Sequence, residues 1–463
     1  MAAVEAQGRT GTSGVKKHRF RATGGHGFSW HHIKEQFTWW EITIFVIGVI
    51  SLVTVLSALF FAVGDRPTTI TIDEPAPPVD SLEFATALSA LVDAPIDRGG
   101  TVTVLNNGDE FLPALLDGIR SAKKSINFSV YIWSDGQMAD QVLPPLLAAQ
   151  RRGVEVRILL DGFGAKDIAD KAFDPLKEAG ARVSKFRTPK LGQLTRFHRR
   201  NHRRAIVMDG DVAFTGGMAV ADHWLGHAQD AQHWRDTMFK VTGPIARDLQ
   251  AAFADTWVSS TGEVLVGADL YPASANSAPG VERFIHLANS PADDHEAMEY
   301  FFLLPILAAR ESIWLVTPYF IPDAHLSHAL QDKAKAGVDV RLLVPGPKND
   351  NKLERASSHR RYDDLLSAGI KIYERRDVLL HTKTVLIDGV WSTIGSTNLD
   401  WRSFLHNHEV NAVVLGSDFA AQMRAVFERD LAASTQITLE QWQHRSLGSR
   451  MKEGLARLWE YWL

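Results

Sequence analysis

The chain contains no cysteine, and this absence removes several kinds of chemistry. Disulfide bonds, thiolate metal sites and a cysteine nucleophile are all excluded. Neither sign of charge is in large excess, because 50 Lys and Arg residues accompany 54 Asp and Glu residues and leave a net charge of −4. Proteins that bind nucleic acid usually carry a basic excess, so no nucleic-acid partner is expected. Four histidines near the amino terminus lack the spacing of metal ligands, and no metal site is predicted there: His18, His26, His31 and His32.

Long apolar runs are also scarce, with one exception near the amino terminus. Residues 42–63 contain no charged side chain, and as a helix they would extend about 33 Å, enough to cross a bilayer. Trp39 and Trp40 lie at one end, as interfacial aromatic residues do. Basic residues precede the run, and they predict a single-pass protein of the cell (inner) membrane with a cytoplasmic amino terminus and the rest of the chain on the extracytoplasmic side. A buried core helix and a cleaved signal peptide are the alternatives.

The remainder of the chain repeats itself. Residues 125–133 and 153–160 have the composition of buried strands, and residues 312–320 and 337–344 repeat that pattern. Strands that alternate with helical stretches indicate an α/β layered fold, and a repeat this long indicates a domain duplication with a pseudo-twofold axis. The predicted organisation begins with a leader (1–41), a transmembrane helix (42–63) and a proline-rich linker (64–80). Two α/β domains follow (81–265 and 266–435), and a carboxyl-terminal tail (436–463) ends the chain.

One spaced motif occurs in both halves. A histidine is followed two residues later by a cation and seven residues later by an aspartate, and a pair of small residues comes after the next strand. The motif residues are His202, Arg204, Asp209, Gly216 and Gly217 in the first half, and His381, Lys383, Asp388, Gly395 and Ser396 in the second. If the motif lies on a strand, the histidine and the cation share one face. A histidine beside a fixed cation suits an anionic phosphate, because the histidine attacks phosphorus while the cation holds oxygens.

The two aspartates have a second interpretation. Asp209 and Asp388 each precede a glycine, and Asp-Gly pairs are typical of tight hairpin turns, so each aspartate can serve simply to close a turn. A turn does not explain a histidine and a cation at matched positions in both halves, and those residues therefore indicate function.

The doubled motif resembles the signature of the phospholipase D superfamily, over roughly residues 82–433. The resemblance implies two phospholipase D-type domains whose histidines meet at the twofold axis, without a metal or other cofactor. It implies that one histidine becomes a covalent phosphohistidine while the other protonates the leaving alkoxide and then activates an alcohol or water. By analogy with the family, His202 is expected to be the nucleophile and His381 the general acid. The implied catalytic set is His202, Arg204, Asp209, His381, Lys383 and Asp388.

Further residues are assigned through the same resemblance. Gly216, Gly217, Gly395, Ser396 and Asn398 are expected to support phosphate binding. Two downstream acids, Asp236 and Glu409, match the positions that orient the histidine rings, with a surface carboxylate as the alternative for each. The sequence departs from the family pattern at Arg204, where lysine is usual, and at Ala219, where asparagine would match Asn398.

Finer similarity points to the bacterial cardiolipin synthase branch, through residues 317–322, 365–373 and 398–404. That branch implies a membrane-anchored transferase that moves a phosphatidyl group between two phosphatidylglycerol molecules and releases glycerol. The partners would be a phospholipid substrate and the bilayer. A phospholipase D-type hydrolase that gives phosphatidic acid and a non-catalytic lipid-binding scaffold remain alternatives, and a nuclease is a more distant one.

The carboxyl-terminal tail carries an apolar stripe at helical spacing, formed by Met451, Leu455, Leu458, Trp459 and Trp462. Nearby arginine and lysine residues make the predicted helix basic as well as amphipathic. Such a helix suits a membrane interface, and Trp442 adds a third tryptophan to the region. Packing of the stripe against the domain is the alternative.

Overall fold

The computed structural model describes residues 38–62, 70–73, 75–187, 199–272, 283–290, 295–446, 448 and 453. The chain divides into two units, Met1–Arg66 and Pro67–Leu463. The described part of the first unit contains helix α1 (Trp39–Ala62), whose side chains are described as far as residue 54. Its large apolar residues, such as Phe45 and Ile50, are exposed.

The sequence predicted that residues 42–63 form a membrane-spanning helix. Within the described residues, no helix has both the length and the apolar character that a membrane crossing requires. The prediction of a spanning segment is therefore not supported, although a helix does form over nearly the same residues. The predicted leader and most of the predicted tail lie outside the described residues.

The second unit contains two large sheets. The first has seven strands, in the spatial order β2 (Val102–Asn106), β9 (Thr237–Thr242), β8 (Val212–Gly216), β7 (Ala205–Met208), β3 (Ser125–Val130), β4 (Glu155–Asp161) and β5 (Arg182–Phe186). Strand β3 pairs parallel with β4 and antiparallel with β7. Every residue of β3 is buried, as expected of a central strand that is covered on both faces.

The second sheet has ten strands. Its main path runs β1 (Ile96–Asp97), β10 (Arg283–Asn289), β18 (Asn407–Leu415), β16 (Trp391–Gly395), β15 (Thr384–Ile387), β11 (Ser312–Val316), β13 (Asp339–Pro345), β14 (Lys371–Arg375) and β19 (Ser434–Ile437). Strand β6 (Arg200–Asn201) pairs with β18 beside this path. A separate pair joins β12 (Phe320–Ile321) to β17 (Leu399–Asp400).

The helices of this unit lie between the strands in the chain. They are α2 (Leu82–Leu91), α3 (Asn107–Ser121), α4 (Gln137–Arg151), α5 (Asp174–Glu178), α6 (Pro244–Thr261), α7 (His295–Ala308), α8 (Ala324–Lys335), α9 (Lys352–Arg360), α10 (Tyr362–Ser367), α11 (Trp401–Leu405), α12 (Ser417–Ala432) and α13 (Leu439–Gln443). Polar side chains begin several of them: Asn351 caps α9, and Asp400 caps α11 by accepting a hydrogen bond from the Ser403 amide at 2.7 Å.

The duplication predicted from the sequence is confirmed by strand order. Reading from β2 to β5, the first sheet matches the second from β10 to β14, strand for strand and in the same spatial sequence. The predicted strands at 125–133, 153–160, 312–320 and 337–344 become β3, β4, β11 and β13 with shifted ends. The α/β fold class is therefore confirmed, with two copies of one sheet topology in a single unit.

One apolar layer is shared by both sheets. Phe239 and Val241 of the first sheet and Val410 and Ala412 of the second belong to the same buried cluster, together with side chains of α6. At about 25 cal/mol per Å² of buried apolar surface, this layer contributes much of the free energy that holds the halves together. The active site described below lies where the two halves meet.

Two segments pack where the sequence did not place them. Helix α2 and strand β1 fall within the predicted first domain, yet Phe84 and Leu88 pack in the core of the second half and Ile96 pairs with Ile285 of β10. For the region of Trp442 the sequence favoured a membrane interface over packing on the domain; Trp442 packs on the domain, buried against the rings of Tyr362 and His359. The apolar stripe from 451 to 462 lies outside the described residues.

Candidate active site

The two histidine motifs lie on extended segments just before β7 and β15. Residues 202–204 and 381–383 do not belong to the sheet strands that follow them, so the condition of the face argument is not met. The physical reason is that each segment pairs with the other half of the molecule. The His202 amide donates to the carbonyl of His408 at 3.0 Å, and the His381 amide donates to the carbonyl of Arg235 at 2.7 Å.

Each imidazole also binds a carboxylate of the opposite half. The Nδ1–H of His202 donates to Glu409 Oε1 at 2.8 Å, and the Nδ1–H of His381 donates to Asp236 Oδ2 at 2.7 Å. All four side chains are at least nine-tenths buried. The sequence pointed to both acids but did not predict which histidine each one binds. In the structure, each acid binds the histidine of the other half. Because Nδ1 is occupied in each ring, Nε2 is the nitrogen that remains to react.

Each carboxylate is held by further donors. Glu409 accepts hydrogen bonds from the Ser396 hydroxyl and from the Asn407 amide group, the latter at 3.2 Å. Asp236 accepts from the indole N–H of Trp224 at 3.0 Å and from the backbone amide of Thr237 at 2.8 Å. These contacts fix the carboxylates, and through them the orientation of both imidazoles.

The small residues of the motifs lie beside the two carboxylates. At Gly217, a Cβ atom would lie 2.1 Å from Asp236 Oδ1, so glycine is required for the close approach of that acid. Ser396 occupies the matching position and donates to Glu409. Gly216 and Gly395 have positive φ, and a Cβ on either would collide with the neighbouring strand. Of the five residues expected to support phosphate binding, Asn398 lines the cavity of the two histidines, and the role of the other four stays a prediction.

The two cations lie beside the histidines. Arg204 is fully buried, and its Nη1 donates to the carbonyl of His202 at 2.6 Å. Its Nε and Nη2 are buried and have no hydrogen-bond partner among the described residues. Lys383 Nζ donates to the carbonyl of His381 at 2.8 Å and lies 3.2 Å from His381 Nε2. A buried donor without a partner destabilises the fold, and an anionic ligand would accept hydrogen bonds from these two nitrogens. Arg204 is therefore positioned to bind an anion.

The aspartates of the motifs have a structural role. Asp209 and Asp388 take positive φ in the turns β7–β8 and β15–β16, as the hairpin interpretation expects. The carboxylate of Asp388 accepts backbone hydrogen bonds from Arg310, Glu311 and Ser312 at 2.8–2.9 Å. Asp209 binds the matching amides before β3. Each aspartate lies seven residues beyond its histidine, about 23 Å along an extended chain. Their contacts support the turn interpretation, and their catalytic role stays a prediction.

Both histidines line one cavity of about 330 Å³. Residues of both halves form its walls, including several that the sequence did not identify: Tyr131, Trp234, Tyr319, Glu354, Asp400 and Arg402. Tyr131 and Trp234 pack against His202 and His381, with ring centroids 5.0 and 5.3 Å apart. Both aromatic residues lie next to recognised strands or motifs, which is the signal that could have identified them. Glu354 belongs to no repeated motif.

Burial and charge set the protonation of the site. Burial, together with the charges of Arg204 and Lys383, lowers the pKa of His202 well below its ordinary value. Burial and the charge of Lys383 lower the pKa of His381 to about 4, against the opposing effect of Asp236. Burial also lowers the pKa of Lys383 to about 7. In the free site both imidazoles are therefore neutral near pH 7.

The two carboxylates differ. Burial raises the pKa of Glu409 to about 7, although Ser396 and Arg204 oppose the shift. At Asp236 burial acts in the same direction, but His381 and Lys383 outweigh it and the pKa falls below its usual range. His381 thus faces an ionised carboxylate, whereas His202 faces one that gains a proton near neutrality.

Within the described residues, one group has the arrangement of metal ligands: Glu299, Asp323 and His325, which do not line the cavity of the two histidines. In the cavity itself, each histidine uses Nδ1 for a carboxylate of the other half. The arrangement is therefore suited to chemistry at two Nε2 atoms, beside cations that can hold an anion.

Comparison with known proteins agrees with this arrangement. A family model described as cardiolipin synthase, phospholipase D-like domain, matches residues 115–257 and 304–431. The chain is 34% identical to cardiolipin synthase 2 of Bacillus anthracis over 76% of this chain and 69% of that protein. It is also 34% identical to cardiolipin synthase 1 of Staphylococcus aureus (strain COL), over 78% and 75% of the two chains.

The fold is shared with a more distant protein of known structure. Phosphatidylserine synthase of Haemophilus influenzae Rd KW20 superposes with a TM-score of 0.63 at 15% identity, over 82% of this chain and 99% of that one. The family match and the identity to curated relatives, each spanning more than half of the chain, agree with the doubled topology and the paired histidines. The chain belongs to the cardiolipin synthase family of the phospholipase D superfamily and is a phosphatidyltransferase of that kind.

Proposed function

We propose that this enzyme makes cardiolipin by moving a phosphatidyl group from one phosphatidylglycerol molecule to the headgroup hydroxyl of another, with release of glycerol. The observation that carries the proposal is the crossed pair of hydrogen bonds, His202 to Glu409 and His381 to Asp236, in one cavity. The names of the cardiolipin synthases in Bacillus anthracis and Staphylococcus aureus support the product, cardiolipin.

In the first step, Nε2 of His202 attacks the phosphorus of the donor lipid. An N–P bond forms, the bond from phosphorus to the glycerol oxygen breaks, and His381 gives the Nε2 proton to that oxygen. The products are free glycerol and a phosphatidyl group on His202. His381 is left neutral and can accept a proton in the next step.

In the second step, the hydroxyl of the acceptor lipid attacks the phosphorus. His381 takes the hydroxyl proton, a new P–O bond forms, and the N–P bond breaks to return His202 to its neutral form. If water attacks instead, the same step gives phosphatidic acid. Transfer and hydrolysis therefore differ only in which hydroxyl reaches the intermediate.

The division of labour follows from the two carboxylates. A nucleophilic imidazole must be neutral, and burial together with the cations holds the pKa of His202 well below its ordinary value. A general acid must carry a proton, and the ionised Asp236 beside His381 stabilises an imidazolium there. A bound phosphodiester would offset the charges of Lys383 and Arg204 and so raise the pKa of His381 from its value of about 4 in the free site.

Arg204 and Lys383 are proposed to hold the phosphate oxygens. The partnerless Nε and Nη2 of Arg204 form the guanidinium edge that can grip two oxygens at once, whereas the ammonium of Lys383 acts as a point charge beside His381. Both charges stabilise the additional negative charge that develops at phosphorus in the transition state.

Membrane attachment is proposed for α1. Its described apolar side chains are exposed, including Phe45 at 72% and Ile50 at 59%, and contact with lipid would remove them from water. Extraction of a membrane fraction with alkaline carbonate tests this proposal. The enzyme should remain in the membrane pellet, and a variant with the α1 residues 42–54 removed should appear in the supernatant. Release of the full chain by this treatment would contradict attachment through α1.

The function is tested by incubating the purified enzyme with labelled phosphatidylglycerol in vesicles and separating the products. Cardiolipin and glycerol in equal amounts are expected. Phosphatidic acid as the main product would instead identify a hydrolase, and the absence of any turnover would favour a lipid-binding scaffold.

Two variants accompany this assay. His202→Ala and His381→Ala should each abolish cardiolipin formation. His233→Ala is the matched control, because His233 also binds a carboxylate through Nδ1, that of Asp230 at 2.7 Å, but is more exposed and does not line the cavity, and it should retain activity. Full activity of His381→Ala would contradict the two-histidine mechanism.

A further inference from the structure

One wall of the active-site cavity is acidic and has no part in the phosphate chemistry. Asp350, Glu354 and Asp400 line the cavity that also contains both histidines. The hydroxyl of Tyr319 donates to Asp350 at 2.6 Å, and Asp400 caps helix α11. Glu354 is 7% exposed, and its Oε2 is buried with no hydrogen-bond partner among the described residues.

Two further acceptor oxygens of this cavity are also buried without a hydrogen-bond donor. The side-chain oxygens of Asn398 and Asn407 are buried and have no hydrogen-bond donor among the described residues. Buried acceptors without donors are uncommon, because each one costs the desolvation of a polar group. Three in one cavity, Glu354 included, indicate a ligand that supplies hydrogen-bond donors.

The phosphate of the donor lipid cannot be that ligand. An ionised phosphodiester has no hydrogen to donate, so it cannot satisfy acceptor oxygens that lack a donor. The cations that suit phosphate, Arg204 and Lys383, are beside the histidines. The acidic wall therefore requires a different part of the substrates, one that carries O–H or N–H groups.

We propose that Glu354 and Asp400 form the subsite for the acceptor alcohol, and that they select a headgroup with more than one hydroxyl group over a simple alcohol. The inference rests on the proposed transferase function. One hydroxyl of the acceptor is bound by these side chains, and this contact directs a second hydroxyl toward the phosphorus on His202. Water has no second hydroxyl to bind, so the same contacts favour transfer over hydrolysis.

The protonation of the wall suits a neutral ligand. Burial and the neighbouring acids raise the pKa of Glu354 well above its usual value, and burial raises the pKa of Asp400 to about 7. A neutral carboxyl group both donates and accepts hydrogen bonds, as a hydroxyl group does. An ammonium ligand would instead require ionised carboxylates at this depth.

The test measures the choice between soluble acceptors. Phosphatidylglycerol vesicles are supplied as donor, with propylene glycol, propanol or ethanolamine present at equal concentrations, and the new lipids are quantified by mass spectrometry. The unaltered enzyme should prefer the diol to propanol. Glu354→Gln and Asp400→Asn should each lower that preference by roughly tenfold, chiefly through the KM for the diol, because one hydrogen bond to a buried polar group is weakened.

Glu428→Gln is the matched control, because Glu428 is an exposed acid of the same half on α12, and it should keep the preference of the unaltered enzyme. Thermal denaturation identifies any variant that fails to fold, and Asp400→Asn retains a side chain that can cap α11. An unchanged preference in both folded variants would overturn this inference alone. Preferred use of ethanolamine, lost in the variants, would overturn the assignment to a polyol. Failure of the unaltered enzyme to use the diol while it still makes cardiolipin would overturn this inference alone, and failure to form either cardiolipin or a new lipid from any alcohol would overturn the transferase function and the subsite with it.

Discussion

The replacement of Asp236 by asparagine separates the roles of the two histidines. Asparagine keeps the size of the side chain and an oxygen that can accept from His381 Nδ1, which lies 2.7 Å from the carboxylate in the structure. The change removes the negative charge that stabilises a protonated His381, and it also replaces the oxygen that accepts from the Thr237 amide. A hydrogen bond to a buried charged group contributes about 1.5–3 kcal/mol, so turnover of phosphatidylglycerol should fall about 10- to 150-fold.

The loss should depend on the leaving group. Glycerol needs a proton to depart, whereas nitrophenolate leaves without one, so a phosphatidyl nitrophenyl ester bypasses the general acid in the first step. With that ester, Asp236→Asn should release one nitrophenolate per enzyme in a rapid burst at nearly the normal rate. The second step should then be slow, because His381 must still act as a base.

Glu409→Gln is the matched variant for the other histidine. It acts on the proposed nucleophile, His202, so its burst with the nitrophenyl ester should be slowed as much as its turnover of phosphatidylglycerol. A normal burst in Glu409→Gln and a lost burst in Asp236→Asn would reverse the assigned roles. Equal impairment of both variants on both substrates would refute the division of labour altogether.

Three further changes test other parts of the account. Arg204→Lys should lower kcat/KM for phosphatidylglycerol about 10- to 100-fold, because a point charge replaces a guanidinium that can bind two oxygens, and steady-state kinetics will measure the loss. Because the pKa of Lys383 is about 7 in the free enzyme, its charge is lost as the pH rises through that value, so KM should increase above neutral pH; Lys383→Arg should remove this alkaline limb. Asp388→Asn should destabilise the fold by about 1–3 kcal/mol in a thermal or urea denaturation measurement, because the carboxylate holds three backbone amides. It should leave kcat per folded enzyme nearly unchanged. A catalytic defect without loss of stability would support a chemical role for Asp388.

Local sequence patterns were sufficient to predict the duplicated α/β architecture. Strand β11 is an apolar run after Ser312, and in β3 the apolar residues Ile126, Phe128 and Val130 alternate with small polar ones. The hairpins after β7 and β15 are marked by Asp-Gly pairs. These features depend on residues that are close in sequence, and the structure reproduces them. Helix α2 was misplaced because its apolar face does not specify which of two similar halves it will cover.

The candidate site was less accessible to sequence reasoning because its contacts cross between the halves. His202 and Glu409 are 207 residues apart in the chain, and no local pattern states which acid meets which histidine. The same crossing explains why the histidine segments are not strands of their own sheets, since their backbone amides bind the opposite half. Repetition revealed the histidines and the cations, but Glu354 has no repeated counterpart among the motifs and emerged only from the cavity.

The most direct test of the central claim is to trap the covalent intermediate. The enzyme is mixed with phosphatidylglycerol, quenched in alkali within the first turnover, digested and examined by mass spectrometry. We expect a phosphorus adduct on the peptide that contains His202, in the unaltered enzyme and in larger amount in His381→Ala supplied with the nitrophenyl ester. An adduct on the peptide that contains His381, or turnover without any adduct on either histidine, would contradict the mechanism.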